Sequence, residues 1–276
     1  MLKVFESFAG YGGASFGLRK ANIDFEVVGY SEIDKGAIKC YEQNHKGKNY
    51  GDIKLINPND LPDFDLFTGG FPCQDVSLAG KRDLTKGRTN LYQEILRIVS
   101  VKKPKFLLLE NIKGLLSTEV NERSLVNIIV NDLHKIGYGV CWKILDLKDF
   151  GIPQNRERIW FVCKLGGWDF NEFQFPNKEE LKIRLKDILE KDVDKRYYLT
   201  KHQLEFIDYK AKQGRGDFLN ERISELPIYS QCLKTGSQKK YVVEATIINE
   251  GLLGEPKVKR HIKNKVMGQT KLDEFK

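Results

Sequence analysis

The alternation of strand-like and helix-like segments over residues 1–165 constrains this chain more than any other feature. Leu2–Phe5 is a short apolar run that ends in a Gly-rich turn, and Ala14–Ala21 has helical spacing. Phe25–Tyr30 reads as a second strand, closing on Ser31-Glu32-Ile33-Asp34, with a helix-like Gly36–Asn44 behind it. Phe64–Phe67 is a third strand, running into Gly69-Gly70-Phe71-Pro72-Cys73, and Leu91–Val101 is helical in spacing. Lys105–Leu109 is an apolar strand ending on Glu110-Asn111; Ser124–Ile136 is another helix, and Val140–Leu147 and Arg158–Lys164 are strands. This pattern predicts an α/β fold with a doubly wound, mostly parallel sheet. Ligands of such sheets sit beyond the carboxyl ends of the strands. The polar and Gly-rich segments fall at those ends: Phe8–Gly13, Glu32, Cys73 and Glu110-Asn111.

After about Gly166 the texture changes. Trp168–Pro176 is aromatic and irregular, Glu179–Lys191 reads as a charged helix, and the rest mixes Gly, Lys and short β-branched runs (Tyr241–Val243, Thr246–Ile248). Two parts are therefore expected, a larger domain at 1–166 and a smaller β-rich module at 167–276. No run of about 18 apolar residues appears, and the start lacks the long apolar core of a signal peptide. A cytoplasmic protein without a membrane partner is expected. The net charge of +8 suits a polyanionic partner such as nucleic acid. Cys40, Cys73, Cys141, Cys163 and Cys232 are scattered and never form a CxxC pair, which argues against a disulfide framework or a metal site. All but Cys73 read as small buried hydrophobes.

Four segments carry chemistry. FAGYGG (Phe8–Gly13) follows a strand and precedes a helix, where glycines let the backbone approach a ligand closely. It lacks the full GxGxxG spacing of a dinucleotide site. Glu32 ends the next strand, where a carboxylate can hold ribose hydroxyls; the alternative is an acid at a helix N-terminus. Together they suggest an adenosine-bearing cofactor. In GGFPCQDVS (Gly69–Ser77), Pro72 stiffens the backbone before the thiol and two glycines free the turn behind it. A cysteine there is poorly placed to fill a core and well placed to attack, once its thiolate is favoured. His45, His134, His202 and His261 sit in unremarkable polar settings, so no protease pattern accompanies it. LLLENIKGL (Leu107–Leu115) leaves Glu110 at the end of an apolar strand, partly dehydrated and suited to donate to a ring nitrogen; an N-cap cluster is the alternative. In GIPQNRERIWFV (Gly151–Val162), Gln154, Arg156 and Arg158 alternate, so in one extended strand all three point the same way.

In this order the four segments resemble the cytosine carbon-5 DNA methyltransferase family of bacterial and phage restriction-modification systems. The likeness runs over residues 3–165 and includes Gly51–Ile53, Gly87–Leu91 and Asp149–Gln154. It implies an S-adenosylmethionine-dependent methyltransferase fold and methyl transfer to carbon 5 of a flipped-out cytosine in double-stranded DNA, with S-adenosylhomocysteine as product. Phe8, Gly10, Gly13, Glu32, Ile33, Asp52, Ile53, Pro72 and Leu91 match positions lining the cofactor site. Cys73 matches the nucleophile, Glu110 the acid at ring nitrogen 3, and Arg158 the base-contacting arginine, with Arg156 and Gln154 supporting it and Asn111 supporting Glu110. Lys81, Arg82, Lys86 and Arg88 fit a basic loop closing on DNA, and residues 167–276 a target-recognition region. The first motif departs slightly, with ESFAGYGG for the commoner DLFAG-type start. An RNA methyltransferase of the same fold and a non-catalytic DNA-binding subunit are the competing readings.

The resemblance also implies two later motifs, an RxLTxRE-like helix and a GNxV segment, and neither is found. Glu255–Ile262 resembles the approach to the first, but IKNKVMGQTKLDEFK follows. Three explanations stand side by side. A small second subunit supplies the missing helices, which is the expectation favoured; the chain is truncated; or the tail does the job in diverged form.

Overall fold

Residues 1–72, 90–120, 123–188 and 230–231 are described by a computed structural model of the chain. They fall into two compact units, Met1–Leu145 with Glu157–Pro176, and Asp146–Arg156 with Asn177–Lys276.

The first unit is built on a sheet. Its elements in chain order are β1 (Leu2–Ser7), α1 (Gly13–Lys20), β2 (Phe25–Ser31), α2 (Lys35–Asn44), β3 (Leu66–Gly70), α3 (Asn90–Lys102), β4 (Phe106–Ile112), the short antiparallel pair β5 (Glu119–Val120) and β6 (Arg123–Ser124), α4 (Leu125–Lys135), β7 (Tyr138–Asp146) and β9 (Glu157–Leu165), with β8 (Gln154–Asn155) lying between the last two in sequence. The strand order is β2-β1-β3-β4-β9-β7. The first four strands are mutually parallel, and β9 runs antiparallel to β4. From β1 the chain steps out to β2, then returns past β1 to β3. That reversal is where loops at the carboxyl ends diverge and open a crevice in α/β sheets.

Local sequence accounts for these elements. Val4, Phe5, Glu6 and Ser7 of β1 are all buried, as in a central parallel strand covered on both faces. Leu125, Val126, Ile129 and Leu133 of α4, and Ile95, Ile98 and Val99 of α3, are buried at helical spacing. These side chains join Phe5, Phe67, Leu107, Leu109, Ile159 and Phe161 from the strands in one core. Each buried aliphatic or aromatic side chain stabilises the unit by about 1.5–3 kcal/mol.

Several expectations shift. β4 continues through Ile112, so Glu110 and Asn111 lie within the strand rather than after it. The cause is β9, whose pairing runs on to Glu110↔Trp160, Asn111↔Ile159 and Ile112↔Arg158. β3 begins at Leu66, and Phe64 is core that precedes it. The helix expected from Glu179 is absent over the described residues, which hold a single 3-10 turn at Leu185–Ile188. There the Glu179 amide donates to the Asp149 carbonyl at 2.8 Å and Lys178 pairs with Asp149 at 2.6 Å, so local partners override a helical propensity that has no long buried face to support it. Of the cysteines, Cys163 is fully buried and burial pushes its thiol up, whereas Cys40 and Cys141 are only half-buried; Cys232 lies outside the described residues.

The second unit holds the Asp146–Arg156 segment. Asp146 accepts from the Arg156 amide at 2.9 Å and from Lys148. Although burial works against it, these partners hold the Asp146 carboxyl below the usual carboxylate range. β8 pairs in parallel with β10 (Ser230–Gln231).

Candidate active site

β1 delivers the chain to a turn of unusual backbone. Phe8, Gly10 and Gly12 have φ of 51°, 58° and 90°. The left-handed conformation at Phe8 costs about 1 kcal/mol that a glycine would not incur. Four hydrogen bonds hold the turn: Ala9 N–H to Ser31 O (3.2 Å), Gly12 N–H to Ala9 O (2.9 Å), Gly10 N–H to Glu32 Oε2 (2.9 Å), and His45 Nε2 to Tyr11 O (3.2 Å). Among the described residues nothing lies within 4 Å of where a Cβ of Gly10 would stand, so they leave that side of the turn open. α1 starts at Gly13 with Gly12 as its N-cap, no side chain capping it and no acid in its first turn. Among the described residues no side chain caps its leading N–H groups, which suits an anionic group.

Glu32 closes the opposite wall. Oε1 accepts from the Ile33 and Asp34 amides (2.8 and 2.9 Å), while Oε2 takes Gly10. It thus acts at the start of α2 and on the turn at once; Oε1 is filled by its two amides, while Oε2 retains an acceptor site. Asp34, not Glu32, is the N-cap of α2, accepting from Ala37 N–H at 2.8 Å. Ile33 is exposed. Asp52 caps a 3-10 turn through the Lys54 amide (3.0 Å). The Ile53 side chain is buried in the core, as are parts of Phe8 and Leu91; Pro72 is half-buried.

Three residues that hold this wall carried no signal in the sequence reading. Asn49 accepts from the Glu32 and Gly51 amides and donates to the Glu32 carbonyl. Arg97 donates to the carbonyls of Ile53 and Ile56 (2.9 and 2.7 Å) and pairs with Glu94 (2.7 Å). His45, expected in an ordinary polar setting, is buried against Tyr41 and Phe16. Its place one helical turn after Tyr41 at the end of α2 was the only available clue.

Under the turn lies Glu6. Ser15 donates to its Oε1 at 2.5 Å, while Oε2 and the Tyr41 hydroxyl are buried without a hydrogen-bond partner among the described residues. Burial pushes the Glu6 carboxyl up, against the hydrogen bond from Ser15.

On the other half of the edge, β3 and β4 meet at Gly69↔Leu109 and Gly70↔Glu110. Gly69 and Gly70 are strand residues, not a freed turn. A Cβ on Gly69 would stand 2.4 Å from Ser7 Oγ, and one on Gly70 would stand 3.2 Å from Glu110 Oε2. They are glycines to leave room for the neighbouring strands' polar side chains. Asn111, buried, donates from Nδ2 to the Phe71 carbonyl at 3.1 Å, tying β4 to the backbone two residues before Cys73. Cys73 itself, with Lys81, Arg82, Lys86 and Arg88, lies outside the described residues.

Glu110 is half-buried, and a cation faces it that the sequence cues around it do not show. Arg158 Nε meets its Oε1 at 2.8 Å, with both side chains largely buried. This pair exists because β9 is antiparallel: its amino end lies beside the carboxyl end of β4. Arg158 Nη1 also donates to the Glu157 carbonyl (2.8 Å), and Lys113 pairs with Glu157 at 2.7 Å. Gln154, Arg156 and Arg158 do not share one strand. Gln154 belongs to β8 and Arg156 to the break between strands, both in the second unit, whereas Arg158 is in β9 of the first. Asp146 causes the break by taking the Arg156 amide.

The family model described as C-5 cytosine-specific DNA methylase matches residues 2–267. The chain is 34% identical to Type II methyltransferase M2.ScrFI of Lactococcus lactis subsp. cremoris, with 82% of this chain and 80% of that protein covered. It is 40% identical to M1.ScrFI of the same organism (78% and 56% covered) and 41% identical to M.SsoII of Shigella sonnei (72% and 52% covered). The chain therefore spans little more than half the length of the latter two. The crystal structure of S. pombe Dnmt2 methyltransferase matches with a TM-score of 0.62 at 24% identity, covering 76% of this chain and 67% of that one. A Spodoptera frugiperda DNMT2 mutant matches with a TM-score of 0.62 at 21% identity, covering 75% and 65%. At these identities the two structures speak for the fold. Among the described residues, no helix is long and apolar enough to cross a membrane.

Proposed function

The chain belongs to the C-5 cytosine-specific DNA methylase family, and from that premise we propose that it methylates carbon 5 of cytosine in double-stranded DNA, with S-adenosylmethionine as methyl donor. The observation that carries the reading is the Glu110–Arg158 pair. It sits at the carboxyl edge of the sheet, one strand from the Gly69-Gly70-Phe71-Pro72 segment that leads to Cys73.

The residues around the first turn fit the cofactor. The uncapped start of α1 suits its carboxylate, the open side of Gly10 gives its main chain access, Glu32 Oε2 has acceptor capacity for a ribose hydroxyl, and Ile33 offers an exposed apolar face for a flat base. In this reading Phe8, Gly13, Asp52, Pro72 and Leu91 complete the surround, and Ile53 supports it from the core. When bound, the cofactor supplies an electrophilic methyl group on a sulfonium.

The remaining steps belong to the chain. Carbon 5 of cytosine is a weak nucleophile, so the Cys73 thiolate adds to carbon 6 and makes carbon 5 enamine-like. Glu110 offsets charge at ring nitrogen 3 as that bond forms, and Arg158 orients the carboxylate and contacts the ring oxygen. Asn111 holds the Phe71 carbonyl and with it the approach to Cys73. Loss of the carbon-5 proton and of Cys73 then restores the ring. The base must leave the stack to be reached, and Lys81, Arg82, Lys86 and Arg88 are assigned to the phosphates around it. Arg156 and Gln154 support the base site, and residues 167–276 read the target sequence. In this reading the protein acts in the cytoplasm.

The test is trapping on duplex DNA carrying 5-fluorocytosine, in which the carbon-5 substituent cannot leave as a proton. With S-adenosylmethionine present, the chain is expected to form a denaturant-stable adduct that Cys73→Ser abolishes. An adduct that survives Cys73→Ser, or methyl transfer to tRNA in place of duplex DNA, would overturn the reading.

A further inference from the structure

His45 is buried at the end of α2 and touches the first turn from beneath. Its Nδ1 is 3.2 Å from Arg19 Nη2, and its Nε2 is 3.2 Å from the Tyr11 carbonyl oxygen. A guanidinium only donates and a carbonyl only accepts. Nδ1 must therefore be the unprotonated nitrogen and Nε2 the one that carries hydrogen. Arg19 is itself held by the Asn44 carbonyl at 3.3 Å and lies over the Phe16 ring. The imidazole stands edge-on to Phe16 (ring centroids 4.6 Å apart) and against Tyr41 (4.8 Å). Gly12 completes the fit: a Cβ there would stand 2.3 Å from His45 Nε2. Gly12 therefore allows both the turn's φ and the close approach of this ring.

We propose that His45 is a positioning residue for the cofactor turn: as the Nε2–H tautomer selected by Arg19, it clamps the Tyr11 carbonyl and fixes the strained Phe8–Gly12 backbone in the form that receives S-adenosylmethionine. This rests on the cofactor reading above. The strain at Phe8 is the reason a clamp is needed. A turn holding a non-Gly residue in the left-handed region relaxes unless its neighbours over-determine it, and three of the four bonds on this turn come from Ser31, Glu32 and His45.

The arrangement also predicts a pH response. A second proton on His45 would put an N–H at Nδ1 facing the Arg19 guanidinium and remove the acceptor that sets the tautomer. Burial and the nearby Arg19 charge hold the His45 pKa below the usual imidazole range. The groups facing it are Arg19 from α1, the Tyr41 phenol from α2 and the Tyr11 residue of the turn, with Glu6 of β1 reached through Tyr41. At neutral pH the ring is therefore neutral and held at both nitrogens; as pH falls through the depressed value Nε2 still donates to Tyr11, but the Arg19 contact turns repulsive and loosens the seat of the ring.

The test combines calorimetric binding of S-adenosylmethionine with amide hydrogen exchange at Gly10 and Gly12 in the ligand-free chain. His45→Phe fills the space without a donor, and is expected to weaken binding about five- to tenfold, the worth of one hydrogen bond, and to speed exchange at both amides. His45→Gln keeps an N–H near the Nε2 position and cannot titrate; it is expected to bind within about twofold of the parent and to lose the acid-side decline in affinity. Wild-type binding and exchange in His45→Phe would overturn the proposal, as would a loss in His45→Gln equal to that in His45→Phe. If the parent chain does not bind the cofactor while His45→Phe still speeds exchange, the clamp stands and the cofactor reading fails. Should His45→Phe not fold, Arg19→Met, which leaves the ring in place, carries the test; unchanged exchange there would sink the tautomer argument.

Discussion

The two halves of the sheet's carboxyl edge recognise by different means. Around β1 and β2 the surface is mostly main chain: three residues with positive φ, an uncapped helix start, and acids answered by amides and a hydroxyl. Around β4 and β9 it is side-chain charge: Glu110 against Arg158 and Lys113 against Glu157. Glu6 and Glu110 show the contrast most directly. Each is a glutamate near the end of a parallel strand. Glu6 is sealed beneath a turn with Ser15 as its donor, whereas Glu110 remains partly exposed because an antiparallel neighbour brings an arginine to it. The lesson is that the neighbouring element, more than residue type, decides whether an acid braces the fold or faces a ligand.

That comparison can be broken at three points, in falling order of effect. Glu110→Gln should leave cofactor binding intact and lower kcat by about 100-fold or more, the scale of general acid–base assistance. Single-turnover kinetics with a parallel binding titration would show it; an equal loss of cofactor affinity would mean that the two halves are not separable. Gly12→Ala should act on the other half alone. A Cβ at this φ and 2.3 Å from His45 Nε2 forces the turn to move, so stability should fall by about 2 kcal/mol and KM for S-adenosylmethionine should rise. Melts of the ligand-free protein and cofactor titration of initial rates separate the two consequences.

Glu6→Gln should have the smallest effect and an informative sign. Because burial raises the Glu6 pKa, the folded chain holds that proton more tightly than the unfolded one. The associated stability is present below the usual carboxylate range and is lost as pH rises through the raised value. Gln cannot ionise, so the variant should lose less stability than the parent between about pH 5 and about pH 8, by on the order of 1 kcal/mol. Urea melts at the two pH values check this, and identical slopes would show that Glu6 is not the buried acid described.

Much of the first unit was legible because its cues are local. An apolar run followed by glycine, or by an acid, places a strand and marks its carboxyl end without knowledge of anything distant. The turn, Glu32 and Phe71-Pro72 accordingly follow the ends of β1, β2 and β3 where the pattern put them, whereas β4 runs on past Glu110 to Ile112. What was misread depended on a second element. Gly69 and Gly70 looked like turn residues because their sequence does not show Ser7 and Glu110 leaning toward them. The alternation of Gln154, Arg156 and Arg158 suggested one strand because Asp146, which takes the Arg156 amide, is ten residues away. Charged residues from Glu179 onward favour a helix in isolation, but Asp149 holds the described stretch otherwise.

The amino-acid sequence by itself determined the α/β alternation, the order of the chemical segments and the family they belong to, since periodicity and motif spacing are properties of the chain alone. Only the tertiary structure decided that β9 runs against β4 and so brings Arg158 to Glu110, that Gly69 and Gly70 make room rather than turn, and that His45 lies under Tyr11. Those are contacts between residues far apart in the chain, 34 positions for His45 and Tyr11, or across paired strands. They arise from packing and charge pairing that exist only once the strands have assembled.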